Sequence, residues 1–499
     1  MGLLGASYLI LLVLFSSLLA KFSNSPLKWQ FDPMTLFASV WIIGYLIYAL
    51  PIFTFREAIT LEATLYVMAA HTVFFLGTLF GSLLSRGPQT KAGAAPASRA
   101  DNDTLQLSFR LLAVIGMVGL LGLASVFIDG ILTSSISLAQ RLEGGALNEV
   151  RSETFARAAG LEAQGPLVRL NQFVAAAFLF VGLMLNQSLA RFGKLQRIFL
   201  IFISGVSVSM VIVNQLLIRS GRMDIVILIL FITFTLALSP NSPARAHLFT
   251  FVRKNRVAFV MLGLPALVAV LYFLGVVFVQ GRSGGVSPLY SLYAYHRLGL
   301  SDFAESLVAN SPLLQTAVLS LSYFVVPLTT HSFYFGLSDA RFSELFWGQY
   351  NFQYITGFVM RYSGFGLDWN FFWSIRDKVW EPLRFLGYGT NVWATILRDL
   401  AIDFGWAGTL VAMFVIGVAT KWLALKAVTG RDPALIVAYV FAAVFLVFSF
   451  AISTFYIPSV LSPFVYAMLL HYIVEFRKRV RSKPPRAFRA RQAARPGRT

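Results

Sequence analysis

The chain has 499 residues, 57% of them apolar and 13% charged, with a formal net charge of +19. Runs of about 20 apolar residues recur along it, which excludes a water-soluble class and predicts an all-α polytopic membrane protein. With no cysteine, disulfides, CxxC redox pairs and thiolate metal sites are excluded as well.

The first apolar run, Gly2 to Ala20, has no basic segment before it, and Lys21 and Lys28 follow it, so a retained span is expected rather than a cleaved signal peptide. Further spans are expected at Met34 to Phe53, Ala63 to Ser85, Leu107 to Phe127, Asn171 to Leu189, Ile198 to Leu217, Met223 to Ser239, Val257 to Val279, Phe404 to Leu425, Ala434 to Ile452 and Ile457 to Val474, about 11 in all. The Pro/Ala/Ser-rich residues 86–106 read as a linker.

Four regions follow. Residues 1–279 hold the first eight spans and an external loop, 128–170, whose charges suit a surface helix pair. Residues 280–403 form a large external loop, 404–474 hold the last three spans, and 475–499 are a basic tail. The large loop contains the apolar run "PLLQTAVLSLSYFVVPLTT", bracketed by Pro312 and Pro327. A full span there would invert everything after it, so a re-entrant or in-plane helix is expected.

The tail from Arg477 carries ten Lys/Arg and no acid, which fixes it in the cytoplasm. Counting back, inner segments hold 25 Lys/Arg against 5 Asp/Glu and outer segments 15 against 17, with only Arg110 read as lying well inside a span. Orientation thus accounts for the positive charge, and nucleic acid is not needed as a partner. The N-terminus is expected outside.

That topology puts "RSGR", Arg219 to Arg222, on the outer face, where cations gain nothing from the inside bias and call for an anion. They either snorkel to lipid headgroups or pair with Asp224, or they form an anion site, since guanidinium forks match phosphate oxygens and Ser220-Gly221 lets backbone N–H groups approach. "VQGRSGGVSP", with Arg282, repeats the theme, and together the two segments suggest a diphosphate clamp.

Aromatics crowd the external loop around Arg361, Asp368, Arg376, Asp377, Glu381 and Arg384, reading equally as an interfacial belt or as a carbohydrate groove. The one Asp-x-Asp, Asp101 to Asp103, lies in the cytoplasmic linker, so a metal-independent site without cofactor is expected. Of the five histidines, His296 and His331 are external and are the imidazole bases within reach of such a site.

The segment "LGYGTNVWATILRDLAIDFGWAGTLVAMFVIG" resembles the Tyr-x-Thr-Asn and Asp-Phe-Gly-x-x-Gly signature of bacterial oligosaccharide repeat-unit polymerases, the Wzy-type O-antigen polymerases. The matching residues are Tyr388, Thr390, Asn391, Asp403, Phe404, Gly405 and Gly408, and Ser220 to Arg222 is similar to that family's Ser/Gly-Arg segment.

The resemblance implies a glycosyltransferase C-like architecture in the bacterial inner membrane, with its active site on the periplasmic face. It implies transfer of a growing glycan from undecaprenyl diphosphate to the distal sugar of an incoming undecaprenyl-diphosphate-linked repeat unit, among membrane lipids and alongside a chain-length-regulating co-polymerase. The substrate-binding set is then Arg219, Arg222, Arg282, Arg376, Arg384, Tyr388, Asn391 and Arg398. For the base, His331, Asp403 and another external carboxylate such as Glu381 stay open; Asp403 could equally hold an arginine such as Arg398 in place. Two rivals remain: an O-antigen ligase with a lipid A-core acceptor, and a flippase of lipid-linked oligosaccharide, which should line a transit path with cations inside its spans.

Overall fold

The computed structural model describes residues 1–22, 25–85, 107–142, 173–187, 189–218, 223–239, 297–309, 311–336, 395–430, 432–451 and 458–482, with short pieces between them that include Trp347, Gly348 and 350–352. In chain order these give helices α1 (Gly2–Phe22) and α2 (Pro33–Ala49), strand β1 (Phe53–Phe55), and helices α3 (Leu61–Ser85), α4 (Phe109–Leu132) and α5 (Leu138–Leu142). Helices α6 (Val174–Asn186), α7 (Lys194–Val213) and α8 (Met223–Leu238) follow, with a wide π turn, Asn214–Ile218, between the last two. Then come strand β2 (Leu298–Leu300), helices α9 (Asp302–Val308), α10 (Pro312–Ser322) and α11 (Val326–Gly336), and finally α12 (Ile396–Gly430), α13 (Pro433–Phe448) and α14 (Pro458–Ser482).

Six of these stretches are long and apolar enough to cross a membrane: α1, α3, α4, α7 with its π turn, α12 and the Val460–Arg477 part of α14. Four shorter apolar helices, α2, α6, α8 and α13, occupy other expected spans. The protein is therefore a predominantly helical, membrane-embedded chain. The expected span Val257 to Val279 lies outside the described residues, as do the linker, most of the loop 128–170 and the end of the tail.

Helix α13 sits at the centre. Apolar residues surround its whole circumference, and all but one of its 16 residues are buried, as an all-apolar helix must be. Helices α3 and α12 make the closest packing. A Cβ on Gly77 would fall 2.2 Å from the Phe414 carbonyl oxygen and one on Gly417 would fall 2.3 Å from that of Phe74, so only glycine lets these backbones meet. At the other extreme α1 is peripheral, exposing Leu3, Leu11, Leu14 and Phe15.

Polar side chains clamp the helix ends. Asp32 and Asp432 each precede a proline and cap a helix, accepting from the N–H of Met34 at 3.1 Å and of Ala434 at 2.8 Å. Each also meets a distant helix at the end where α14 finishes, the tail end: Lys421 of α12 pairs with Asp32, and the Nδ1 of His471 lies 2.6 Å from the Asp432 carboxylate. The Ser239 hydroxyl donates to Asn186 at the same end. At the opposite end β1 pairs antiparallel with β2, Phe53 facing Leu300, and the N–H of Ile396 donates to the carbonyl of Ser449 at 2.8 Å. Each contact joins ends that strict alternation of spans puts on one face.

Two sequence expectations about charge need correction. Arg110 stands in the first turn of α4, after the capping Ser108, and is exposed, so it sits at a helix end rather than well inside a span. Lys421, by contrast, lies within α12 and is buried, its charge met by Asp32 across 389 residues of chain. A two-stranded sheet, unforeseen in an all-α reading, also ties residues 53–55 to 298–300.

Candidate functional site

The apolar run bracketed by Pro312 and Pro327 folds as α10 and α11, 11 residues each, interrupted at Tyr323 to Val325. At about 1.5 Å per residue neither crosses a bilayer. Ser311 caps α10, its hydroxyl accepting from the N–H of Leu314 at 3.3 Å. Helix α11 is seated on the start of α3, where the Thr60 N–H donates to the Ser332 hydroxyl at 2.9 Å. This seat buries Thr330, His331, Ser332 and Tyr334.

His331 meets the segment that carries the Asp-Phe-Gly. Its Nδ1 lies 3.3 Å from the Thr395 hydroxyl, and its Nε2 is buried with no hydrogen-bond partner among the described residues. Burial, and then the nearby Arg398 cation, push its pKa from 6.5 down to about 3, so the imidazole is neutral at physiological pH. With Nδ1–H donating to Thr395, the Nε2 lone pair is free to accept a proton; with the other tautomer, Nε2–H is a donor seeking an acceptor.

Arg398 is 1% exposed, and its Nε and Nη2 donate to Asp399 Oδ1 at 3.0 and 2.5 Å. Its guanidinium also lies 5.1 Å from the centre of the Tyr334 ring. The fork expected to bind substrate is thus engaged inside the protein, and its partner is Asp399 rather than Asp403. Burial pushes the Tyr334 phenol up to about 12, so it too stays neutral.

Asp403, fully buried, holds a turn instead. Its carboxylate accepts from the backbone N–H of Tyr350 and of Asn351 at 2.9 Å each and from the Asn351 side-chain amide at 2.7 Å, while its carbonyl accepts from the Trp347 N–H. Trp347 and Gly348 both have positive φ, 51° and 89°, and the Trp347 side chain is 75% exposed. Such strain in a non-glycine residue persists only where neighbours over-determine it, and Asp403 supplies that constraint.

Two residues after Asp403 the helix kinks at Gly405, whose φ of 69° is the left-handed region glycine tolerates. The kink turns Trp406 toward α11. Tyr66, Phe335 and Trp406, all partly exposed, lie with ring centres 5.0 to 5.1 Å apart, and His331 lies 5.6 Å from Trp406 beneath them. The Tyr66 hydroxyl donates to the Trp406 carbonyl at 2.6 Å, while the Trp406 Nε1 is out of solvent without a partner.

Arg219, Arg222, Arg282, Arg376, Arg384, Tyr388, Asn391 and Glu381 lie outside the described residues. The flank of the Arg219 segment is described. Buried Arg141 donates to the carbonyls of Ile136, Leu217 and Gly130 at 3.2, 2.8 and 3.2 Å, satisfying carbonyls where the π turn ends. Asp224 accepts from the Gln215 amide beside a cavity of about 10 Å³, room for about one water.

Sequence reasoning singled out His331, Arg398 and Asp403, and the fold brings them to one end of the bundle. It missed Asn351, Thr395, Asp399, Arg141 and the Tyr66, Phe335 and Trp406 rings. The adjacency of Arg398 and Asp399 was the one usable signal among these; the others arise from contacts between distant segments. No family model matches the chain, and neither does any curated protein or solved structure.

Proposed function

We propose that the protein is a glycosyltransferase of the repeat-unit polymerase kind, working on lipid-diphosphate-linked oligosaccharides at the outer face of a bacterial inner membrane. One observation carries the reading. A neutral histidine from the external loop, with one ring nitrogen unpartnered, lies against the segment whose residues resemble the polymerase signature.

In this reading Arg219 and Arg222 hold the donor's diphosphate, which is the leaving group. As the anomeric carbon–oxygen bond breaks, negative charge grows on that diphosphate, and guanidinium donors placed there stabilise the transition state more than the ground state. His331 Nε2 accepts the proton of the attacking acceptor hydroxyl, through an oxocarbenium-like transition state. Burial and the nearby Arg398 cation keep the imidazole neutral, the form able to accept, while making it a weaker base than a free histidine. Asp403 anchors the Trp347 to Phe352 turn beside the site.

The test is the chain length of surface polysaccharide in a deletion strain. Material carrying a single repeat supports the polymerase; absence of any capped material points to a ligase or flippase instead. Reporter fusions that put the loop around Trp369 in the cytoplasm would overturn the reading, because every role above depends on that face.

A further inference from the structure

The geometry points to a saccharide-ring subsite formed by Tyr66, Phe335 and Trp406 above His331, the place where the acceptor sugar stacks while its hydroxyl faces the imidazole. This rests on the polymerase reading for the word acceptor; the saccharide subsite itself rests on the rings. Three aromatic rings from three elements, α3, α11 and the part of α12 after its kink, converge within 5.1 Å of one another and stay partly exposed. They are less buried than the Phe37, Trp41 and Phe74 cluster of the same bundle.

The polar atoms around these rings separate a subsite from a plain apolar patch. His331 is 1% exposed with its Nε2 unpartnered, and the Trp406 Nε1–H, in the adjoining ring, is unpartnered too. An unmatched buried polar group is destabilising; both atoms are out of solvent, so a ligand reaches them only as the rings part, and one that offers hydroxyls beside an apolar face then relieves both. A pyranose has that character: its C–H face lies on aromatic rings and its equatorial hydroxyls both donate and accept. A lipid tail supplies the face and no hydroxyl, and an inorganic anion supplies acceptors and no face.

Trp406 also follows Gly405 immediately, so the ring's position is set by a backbone conformation that only glycine adopts readily. Tyr66 fixes the other side by donating to the Trp406 carbonyl, which makes it a positioning residue as well as a ring.

The experiment uses the full chain in nanodiscs and, as probe, the repeat-unit oligosaccharide released by mild acid from the lipid-linked pool of a strain deleted for this gene. Calorimetric titration should show binding to the wild type that is about ten-fold weaker in Trp406→Leu and Tyr66→Leu, and weakened by less than that in Trp406→Phe, which keeps a stacking ring but loses the N–H and part of the indole face. Circular dichroism and melting of each variant identify any that misfold, and Trp406→Phe then carries the comparison against Phe335→Leu. Equal affinity in wild type, Trp406→Leu and Tyr66→Leu overturns the subsite, as does absence of binding to the wild type. The polymerase reading fails separately, when wild-type protein binds the free oligosaccharide and builds no chain from the lipid-linked unit.

Discussion

At the tail end Asp32 and Asp432 each serve two partners, a helix N-terminus and a side chain from a distant helix, so the groups that hold that end are matched to one another. At the opposite end the Nε2 of His331, the Nε1 of Trp406 and the Oδ1 of Asn351 are buried and keep no partner. Both ends carry ionic pairs. The difference is that the pairs on Asp32 and Asp432 are closed and the His331 set has open valences. Thr35 Oγ1 and Gln187 Nε2 at the tail end are buried without a partner among the described residues too, so what distinguishes the opposite end is that two of its open groups, His331 Nε2 and Trp406 Nε1, lie in adjoining rings.

The largest effect should come from breaking the open end at His331, the proposed base. His331→Gln is expected to lower single-turnover transfer on the order of 100-fold to 10,000-fold while the protein stays folded at pH 7, since a general base contributes about that much. A variant with normal single-turnover rate removes His331 as the base. Next, Arg219→Ala and Arg222→Ala should each lower chain extension by on the order of 100-fold or more, and Arg→Lys should restore little, because an ammonium cannot reproduce the fork. Normal polysaccharide length in both alanine variants would misplace the diphosphate clamp.

The closed end predicts the reverse pattern. Lys421→Met leaves Asp32 buried without its cation, which is expected to destabilise the protein by about 3–5 kcal/mol, and adding Asp32→Leu should recover much of that. Transfer per folded molecule should barely change. A Lys421→Met protein with unchanged melting and lost transfer would erase the distinction between the two ends.

The helices that carry this contrast were legible in the sequence, for uneven reasons, and the contrast itself was not. Hydropathy located the ten described apolar helices because apolar content is a property of one segment, and Asp32-Pro33 and Asp432-Pro433 announce helix starts because cap and proline are adjacent. The split of the apolar run into α10 and α11 was half legible: Pro327 is visible, and it falls inside the second helix, at its second residue, rather than at the break. What could not be read were partners. Lys421 looks like any inner-end lysine until Asp32 is brought to it, and Tyr66 and Trp406 meet across 340 residues. Asp403 was ambiguous for a related reason: a carboxylate in a signature-like segment invites a chemical role, and only the turn from Trp347 to Phe352 reveals three donors already on it.

A smaller effect should separate the ends by pH. His331 binds a proton in the unfolded chain with a pKa near 6.5 and in the folded protein only near 3, so the unfolded state binds more protons between those values. The stability this neutral histidine contributes is therefore complete above about pH 6.5 and lost as pH falls toward 3, by roughly 1–2 kcal/mol at pH 5. Melting measured at pH 7 and pH 5 should drop further in wild type than in His331→Gln; parallel drops would mean that protonation there does not couple to folding.

The smallest effect concerns Asp403, and it decides whether the turn beside the site works by chemistry or by position. In Asp403→Asn one side-chain oxygen still accepts from the Tyr350 N–H, but the amide NH₂ now faces the two donors of Asn351, so those bonds are lost and the donors repel it. Asn351 is fully buried, so each donor left unmatched costs about 1–3 kcal/mol of stability, while the effect on transfer itself stays small. A positioning residue then shows a KM for the incoming repeat unit raised a few-fold with kcat nearly kept, and Asp403→Glu, which retains two oxygens, should recover part of it. A base shows the opposite split, kcat falling by on the order of 100-fold at unchanged KM in Asp403→Asn. That second outcome would transfer the proton-accepting role from His331 to Asp403. It would also make the carboxylate's three donors a device for setting its basicity rather than for holding a turn.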